Sequence, residues 1–182
     1  MDILVTRRLT LSPPLEVDVD AMTAALQNSD VTRMLTNVPN PYSSADALAF
    51  VKRTGEDKKS LAFSIYRQKF LGVISVAEDS DGNFALGYWL ERNCWGNGYM
   101  SEAARAVLSH AFRSLGVDQI VSDAYQDNRA SLAIQDKLGF EICGKSSCIN
   151  PTRKCEVETI RTELTRQRFE QLFGSLESEA AA

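Results

Sequence analysis

A chain of 182 residues can bury one full hydrophobic core, and its formal net charge of −4 lacks the basic footprint that nonspecific nucleic-acid binding needs. Its apolar runs fall short of the ~20 residues of a membrane span, and Met1-Asp2-Ile3 does not open a signal peptide. Cys94, Cys143, Cys148 and Cys155 form no Cys-x-x-Cys pair, which argues against structural zinc or any metal site and for reduced thiols in a cytoplasmic protein.

Residues 4–11 alternate well enough for a strand, stopped by Pro13-Pro14. Asp18 or Asp20 is placed to cap a helix through Gln27, and Asp30 a second short helix ending near Asn37. Asn37-Val38-Pro39-Asn40-Pro41 reads as a loop. Ser43, with Asp46 three residues on, resembles a capping box that opens a helix through Ala47, Leu48, Phe50 and Val51. The period then changes: Leu61, Phe63 and Ile65 alternate with Ala62, Ser64 and Tyr66. The chain turns near Gln68-Lys69, returns over residues 70–77, and turns again at Glu78-Asp79-Ser80-Asp81-Gly82. Residues 83–90 then complete three consecutive antiparallel strands.

The most informative stretch comes next. Cys94-Trp95-Gly96-Asn97-Gly98-Tyr99-Met100-Ser101-Glu102-Ala103-Ala104 sets two glycines one residue apart before a strongly periodic helix. Met100, Ala103, Ala104, Val107, Leu108, Ala111, Phe112 and Leu115 form one helical face, closed by Gly116. Backbone N–H groups left unpaired at such a helix start favour an anion, which predicts a phosphate-bearing ligand at the turn.

Residues 119–125 form a further strand, and Asn128 is placed to cap a short helix ending at Leu138-Gly139. Phe140 can fold back onto Ile134 in a Schellman cap. Two more strands fall near residues 140–147 and 155–164, joined through Asn150-Pro151-Thr152. From Gly174 the chain is small and polar. With no repeat and no linker, residues 1–173 read as a single domain and 174–182 as a frayed tail. Helices on both sides must cover the central sheet.

Four ordered strings now carry a resemblance. Gly87-Tyr88-Trp89-Leu90, then Trp95 through Ala103, then Asn128-Arg129-Ala130-Ser131, then Lys137-Leu138-Gly139-Phe140 resemble the GNAT acetyl-CoA-dependent N-acetyltransferases. Within them the chain is similar to the Rim-type branch that acetylates ribosomal-protein N termini. Thr6-Arg7-Arg8-Leu9-Thr10-Leu11 and Tyr42-Ser43-Ser44-Ala45-Asp46-Ala47 also fit that branch, and the likeness spans about residues 4–164.

The resemblance implies an α/β (α+β) fold, a mixed and mostly antiparallel sheet flanked by helices and splayed between its fourth and fifth strands. Those strands would be residues 83–90 and 119–125. Backbone groups near Trp89 and Leu90 would pair with the pantetheine of acetyl-CoA, the acetyl donor. N–H groups across Trp95, Gly96, Asn97, Gly98, Tyr99, Met100 and Ser101 would hold its pyrophosphate, and residues 1–60 would form the helical side of the acceptor cleft. The acceptor would be a primary amine, either a protein N-terminal α-amine or a small molecule such as a polyamine, amino acid or aminoglycoside. A homodimer through a C-terminal strand also follows by analogy; a nucleic-acid or membrane partner does not.

Acetyl transfer requires an amine that loses its proton, a positioned thioester, a stabilised oxyanion and a protonated leaving thiolate. The family reading has Asn128 bonding the donor's arm and Ser131 near the thioester sulfur as general acid. The plainer reading makes Asn128 an N-cap with Ser131 as its partner, and one Asn can serve both. Two positions depart from the family. The tyrosine that many members carry as general acid is Gln135 here, and the glutamate two residues before Gly-Tyr-Trp is Ala85. Glu91, Asp123, Tyr125 and Asp127 are then the unranked candidates for general base. Those departures keep open an acyl-CoA-binding module with little transfer. A different nucleotide fits poorly, since Gly98 is followed by Tyr99-Met100 rather than the Lys-Ser/Thr of a Walker loop, and Ser101 stands where a dinucleotide fingerprint wants glycine.

Several residues have two readings. Trp89 and Trp95 either shape the groove or pack beside a strand end. Tyr42 either lines the acceptor entrance or anchors the next helix. Lys137 reads as a solvated helix residue rather than a phosphate contact, the lone His110 as a surface or boundary residue, and Cys94 as a packing residue rather than a nucleophile.

Overall fold

Alternating apolar residues in the middle of the chain build the sheet that everything else covers. The computed structural model describes residues 2–36, 38–57 and 59–176. Among them lie eight strands, β1 (Leu4–Val5), β2 (Thr10–Ser12), β3 (Leu61–Arg67), β4 (Lys69–Glu78), β5 (Phe84–Leu90), β6 (Gln119–Tyr125), β7 (Glu141–Asn150) and β8 (Cys155–Thr165). They form one sheet in the order β1-β2-β3-β4-β5-β6-β8-β7. Every neighbouring pair is antiparallel except β5 and β6, which run parallel and share a single register pair, Ala85 with Val121. The expected splay therefore falls where the sequence placed it. The splayed strands are fifth and sixth in chain order, because residues 4–11 are a tight hairpin rather than one strand. Leu4 faces Leu11 and Val5 faces Thr10, and the Thr6 N–H closes the turn on the Leu9 carbonyl at 2.9 Å.

Two helical layers cover the sheet. On one face lies α4 (Tyr99–Ser114), whose stripe of Met100, Ala103, Ala104, Val107, Leu108, Ala111 and Phe112 is buried as its period demands. On the other lie α1 (Val19–Leu26), α2 (Ser29–Thr32) and α3 (Ser44–Glu56), which close a second core of Met22, Leu26, Val31, Ala47 and Val51 over Phe70 and Val73. The Ser43 and Asp46 capping box is formed at the start of α3. Helix α5 (Arg129–Lys137) ends in the expected Schellman pattern, with Phe140 N–H on the Gln135 carbonyl and Gly139 N–H on that of Asp136, both at 3.0 Å.

Local details differ from the sequence reading. Asn28, not Asp30, caps α2, its side chain accepting the Asp30 N–H. Asp18 makes no side-chain cap on α1. It is 3 % exposed, and its carboxylate accepts from the Leu15 N–H, the Ser64 hydroxyl and the Tyr66 phenol. Burial, and then that hydrogen bond to Asp18, push the Tyr66 phenol up to about 12. A sixth helix, α6 (Arg166–Phe173), was not anticipated, and β8 inserts between β6 and β7. Of the expected tail, Leu176 is buried in the core, while residues 177–182 lie outside the described residues, as does Asn37 of the expected loop. Among the described residues no helix is long and apolar enough to cross a membrane.

Candidate active site

Residues in register across a parallel pair point to the same face, and side chains alternate along each strand. From the Ala85 and Val121 pair, Gly87 and Trp89 therefore share a face with Asp123 and Tyr125, the face that carries α1 to α3. Leu86, Tyr88 and Ser122 take the opposite face, which carries α4 and α5. Beyond Ala85 the two strands part, and a cleft of about 630 Å³ opens between them.

The glycine turn closes one end of this cleft. Gly96 and Gly98 have φ of 75° and 73°, a left-handed backbone that carries the chain into α4 without a Cβ penalty. Gly98 is the N-cap of α4 and has no side chain to satisfy the first-turn amides, which suits an anion. Asn97 is exposed and folds its amide back onto its own turn, its Nδ2 donating to the carbonyls of Cys94 at 3.2 Å and Trp95 at 3.0 Å. Two guanidinium groups flank the turn. Arg8 donates to the Asn97 carbonyl at 3.0 Å, pairs with Glu102 at 2.6 Å and lies 4.8 Å from the Tyr99 ring, while Arg67 donates to the Tyr99 hydroxyl at 2.9 Å. The Trp95 indole donates to the Leu90 carbonyl at 2.9 Å. Cys94 is buried, and burial with the nearby Glu91 carboxylate pushes its thiol up, which keeps it protonated and packed.

At the other end, Asn128 caps α5, its Oδ1 accepting the Ser131 N–H at 3.2 Å. The Ser131 hydroxyl lies 2.9 Å from the Tyr88 phenol oxygen and 3.4 Å from Gln135 Nε2. Gln135 is 1 % exposed and does not line the cleft; it ties α5 to Ser122 of β6 at 2.9 Å and to Thr162 of β8 at 3.0 Å.

On the face of the N-terminal helical layer, Asp123 lines the cleft opposite the side from which Ser131 enters. Burial pushes its carboxyl up, Arg161 at 3.3 Å opposes that, and Asp79 adds to it. Asp127 also lines the cleft, yet Arg153 grips it with two hydrogen bonds, at 2.7 and 3.1 Å, and holds its carboxyl below the usual range. Tyr125 is fully buried, and burial pushes its phenol up to about 12. Glu91 lies outside the cleft lining, 3.6 Å from Lys69.

The cleft brings together Trp89, Leu90, Trp95, Gly96, Gly98, Tyr99, Met100, Ser101, Asn128, Ser131 and Lys137. Asn97 shapes the turn from behind. Tyr42 is buried in the second core beneath α3, its carbonyl accepting from Gln27 at 2.6 Å. His110 packs edge-on against Phe63 with its protonation disfavoured by burial. Tyr88 is the cleft residue whose place beside Ser131 sequence reasoning missed. It sits inside the Gly-Tyr-Trp string, and strand alternation marks it as facing opposite to Trp89, but its partner is 43 positions away.

A splayed mixed sheet, a glycine turn at a helix start and a cleft running between the parted strands define an acetyltransferase of the GNAT class. The model of the Acetyltransferase (GNAT) domain matches residues 8–141, and the chain belongs to that family. It is 26 % identical over 148 residues to p20 of Bacillus licheniformis, described as an uncharacterized N-acetyltransferase, covering 78 % of this chain and 83 % of that one. In structure it is similar to Mycobacterium smegmatis RimJ in complex with CoA-disulfide, with a TM-score of 0.77 at 17 % identity over 93 % of this chain and 86 % of that one. It is also similar to the Salmonella typhimurium acetyltransferase that modifies the N-terminal serine of ribosomal protein L7/L12, with a TM-score of 0.76 at 20 % identity, over 90 % and 99 % of the two chains.

Proposed function

We propose that the protein transfers the acetyl group of acetyl-CoA to the α-amine of a protein or peptide N terminus, with residues 1–173 acting as one catalytic unit in the cytoplasm. Four free cysteines fit a reducing compartment. The observation that carries the reading is the seam itself: Asp123 reaches it from one face and Ser131 from the other, so a substrate lying between the strands meets a carboxylate and a hydroxyl on opposite sides.

The cleft fits the donor. Its volume lies within the range of ligand sites, and one end offers amides at a helix start flanked by Arg8 and Arg67. Amides across Trp95, Gly96, Asn97, Gly98, Tyr99, Met100 and Ser101 would hold the pyrophosphate. The diverging edge of β5 at Trp89 and Leu90 would pair with the pantetheine. Asn128 spends its oxygen on the Ser131 amide, which leaves its NH₂ group for the donor's arm.

In the reaction the amine nitrogen attacks the thioester carbonyl carbon, Asp123 takes the amine proton, and the C–S bond breaks. The sulfur takes its proton from Ser131. The raised Asp123 carboxyl suits a base better than Asp127, whose charge is spent on Arg153. Aligning the reactants supplies roughly 7–11 kcal/mol of such a barrier. On the acceptor side, Val31, Met34 and Leu35 of the N-terminal layer give the cleft an apolar wall, which suits one amine next to a side chain better than a polycation.

Calorimetry with acetyl-CoA tests the donor. CoA release with peptides beginning in Ser, Ala or Met, set against spermidine and an aminoglycoside, tests the acceptor, and mass spectrometry locates the acetyl group. Acetylation of the peptide α-nitrogen is expected. Turnover of the small amines alone would move the acceptor to that class. Tight binding without amine-dependent CoA release would leave a binding module, and no binding would overturn both readings.

A further inference from the structure

Hydrogen-bond accounting gives the cluster behind Ser131 a direction. The Leu86 carbonyl only accepts, so the Ser122 hydroxyl donates to it at 2.9 Å. Ser122 Oγ then accepts from Gln135 Nε2 at 2.9 Å, which turns the amide oxygen of Gln135 toward the Thr162 hydroxyl at 3.0 Å. The second N–H of Gln135 is aimed at Ser131 Oγ, 3.4 Å away. Among the described residues, Ser131 therefore has no acceptor on its inner side. Its single hydrogen goes either to the Tyr88 oxygen or into the cleft.

Tyr88 faces the matching choice. Its O–H reaches Ser131 Oγ at 2.9 Å or the Ser131 carbonyl at 3.3 Å. When Ser131 donates to Tyr88, Tyr88 donates to the carbonyl. When Tyr88 donates to Ser131, both lone pairs of Ser131 are filled from behind and its own hydrogen points into the cleft. Rotation of two O–H bonds exchanges the two arrangements.

We propose that Tyr88 is a positioning residue that turns the Ser131 proton into the cleft, completing a one-way chain from Leu86 through Ser122 and Gln135. The inference rests on the proton-donor reading of Ser131 given above. In the transfer, the Ser131 O–H bond breaks as an S–H bond forms on the departing thiolate. As that proton leaves, the Ser131 oxygen takes up the proton of the Tyr88 O–H that donates to it at 2.9 Å, with the Gln135 N–H as its second donor, and once products leave the Tyr88 oxygen regains a proton from solvent through the cleft it lines. Burial holds the Tyr88 phenol above its ordinary range, so it stays a donor throughout the neutral region. This also accounts for Gln135: the helix that was expected to bring a phenol brings an amide, and the phenol comes from β5.

The test uses the whole chain with acetyl-CoA as donor and, as acceptor, the amine of the panel above that gives the fastest wild-type CoA release. Tyr88→Phe keeps the ring and removes the donor. Turnover should fall on the order of 100-fold in Ser131→Ala and in the same direction in Tyr88→Phe, with CoA affinity by calorimetry and melting temperature unchanged. The double variant should fall no further than Ser131→Ala alone, because both act on one proton. Wild-type turnover in Tyr88→Phe would overturn the inference, as would losses that multiply in the double variant or a loss that appears only as weaker CoA binding. If Ser131→Ala keeps wild-type turnover, the donor role of Ser131 fails and this inference with it. A loss in Ser131→Ala with none in Tyr88→Phe overturns this inference alone.

Discussion

Ala85 and Val121 are, among the described residues, the one register pair joining the two parallel strands that bound the cleft. Backbone pairing joins the strands at this point, and they part beyond it. The same pair sets the faces: two residues past Val121, Asp123 looks toward the N-terminal helical layer, while Tyr88, three past Ala85, looks toward Ser131 on α5. The proposed reaction, with a carboxylate and a hydroxyl on opposite sides of the substrate, rests on that single register.

Asp123 gives the first prediction. Burial holds its carboxyl above the ordinary value, with Arg161 pulling it down and Asp79 pushing it up. A base works ionised, so kcat/KM should rise with pH through that raised value. Asp123→Asn should lower kcat/KM on the order of 100-fold and remove this rising limb. Arg161→Gln removes the lowering charge and should shift the limb to higher pH. Profiles in which neither variant moves the limb would exclude Asp123 as the base.

Gly98 gives the second. Its left-handed backbone costs an alanine about 1–2 kcal/mol, and the added Cβ would lie 3.5 Å from Arg8 Nη2. Gly98→Ala should weaken acetyl-CoA binding roughly 5- to 30-fold while kcat changes little, because in the proposed reaction the turn holds the pyrophosphate and not the thioester. An unchanged dissociation constant by calorimetry would remove this turn from donor binding.

Asp79 gives the third, through acid stability. Burial favours its neutral form, but the Arg161 hydrogen bond at 2.8 Å and the amides of Asn83 and Asp81 outweigh that and hold the carboxyl at about 2 against an ordinary 3.8. A depressed carboxyl contributes stability that is present above the ordinary value and lost as pH falls from there toward 2. Asp79→Asn should therefore lower the urea midpoint at pH 7 and have little effect near pH 2. An equal loss at both would assign the cost to packing instead.

What could be read in the sequence was what repeats locally. The stripe from Met100 to Leu115, the Ser43 and Asp46 capping box, and the glycine ending of α5 each announce themselves within a few residues, and each is formed. The glycine turn was legible for the same reason, since its chemistry lies in adjacent backbone. Partnerships across distance were not. Nothing near Asp18 points to Ser64 and Tyr66, and nothing near Tyr88 points to Ser131. Gln135 was noticed for the phenol it lacks, whereas its burial between three elements only emerges once β8 inserts beside β6. Helix α6 escaped because Arg166, Arg168, Glu170 and the two glutamines Gln167 and Gln171 mask an apolar face of only Phe169, Leu172 and Phe173.

That masked face gives the last prediction. Phe169 is 2 % exposed and meets Phe112 of α4 at a ring-centroid distance of 5.5 Å, so α6 closes the far side of the main core. Truncating it leaves a cavity between two helices, and Phe169→Ala should cost about 3–5 kcal/mol, lowering the melting temperature by roughly 10 °C. Leu172, one turn away but 52 % exposed, serves as the control. Leu172→Ala should stay within about 0.5 kcal/mol of wild type. Neither residue lines the cleft, so acetyl-CoA affinity measured well below the transition should be unchanged in both. Equal losses from the two substitutions would mean that α6 is held by its exposed edge rather than by the Phe112 contact.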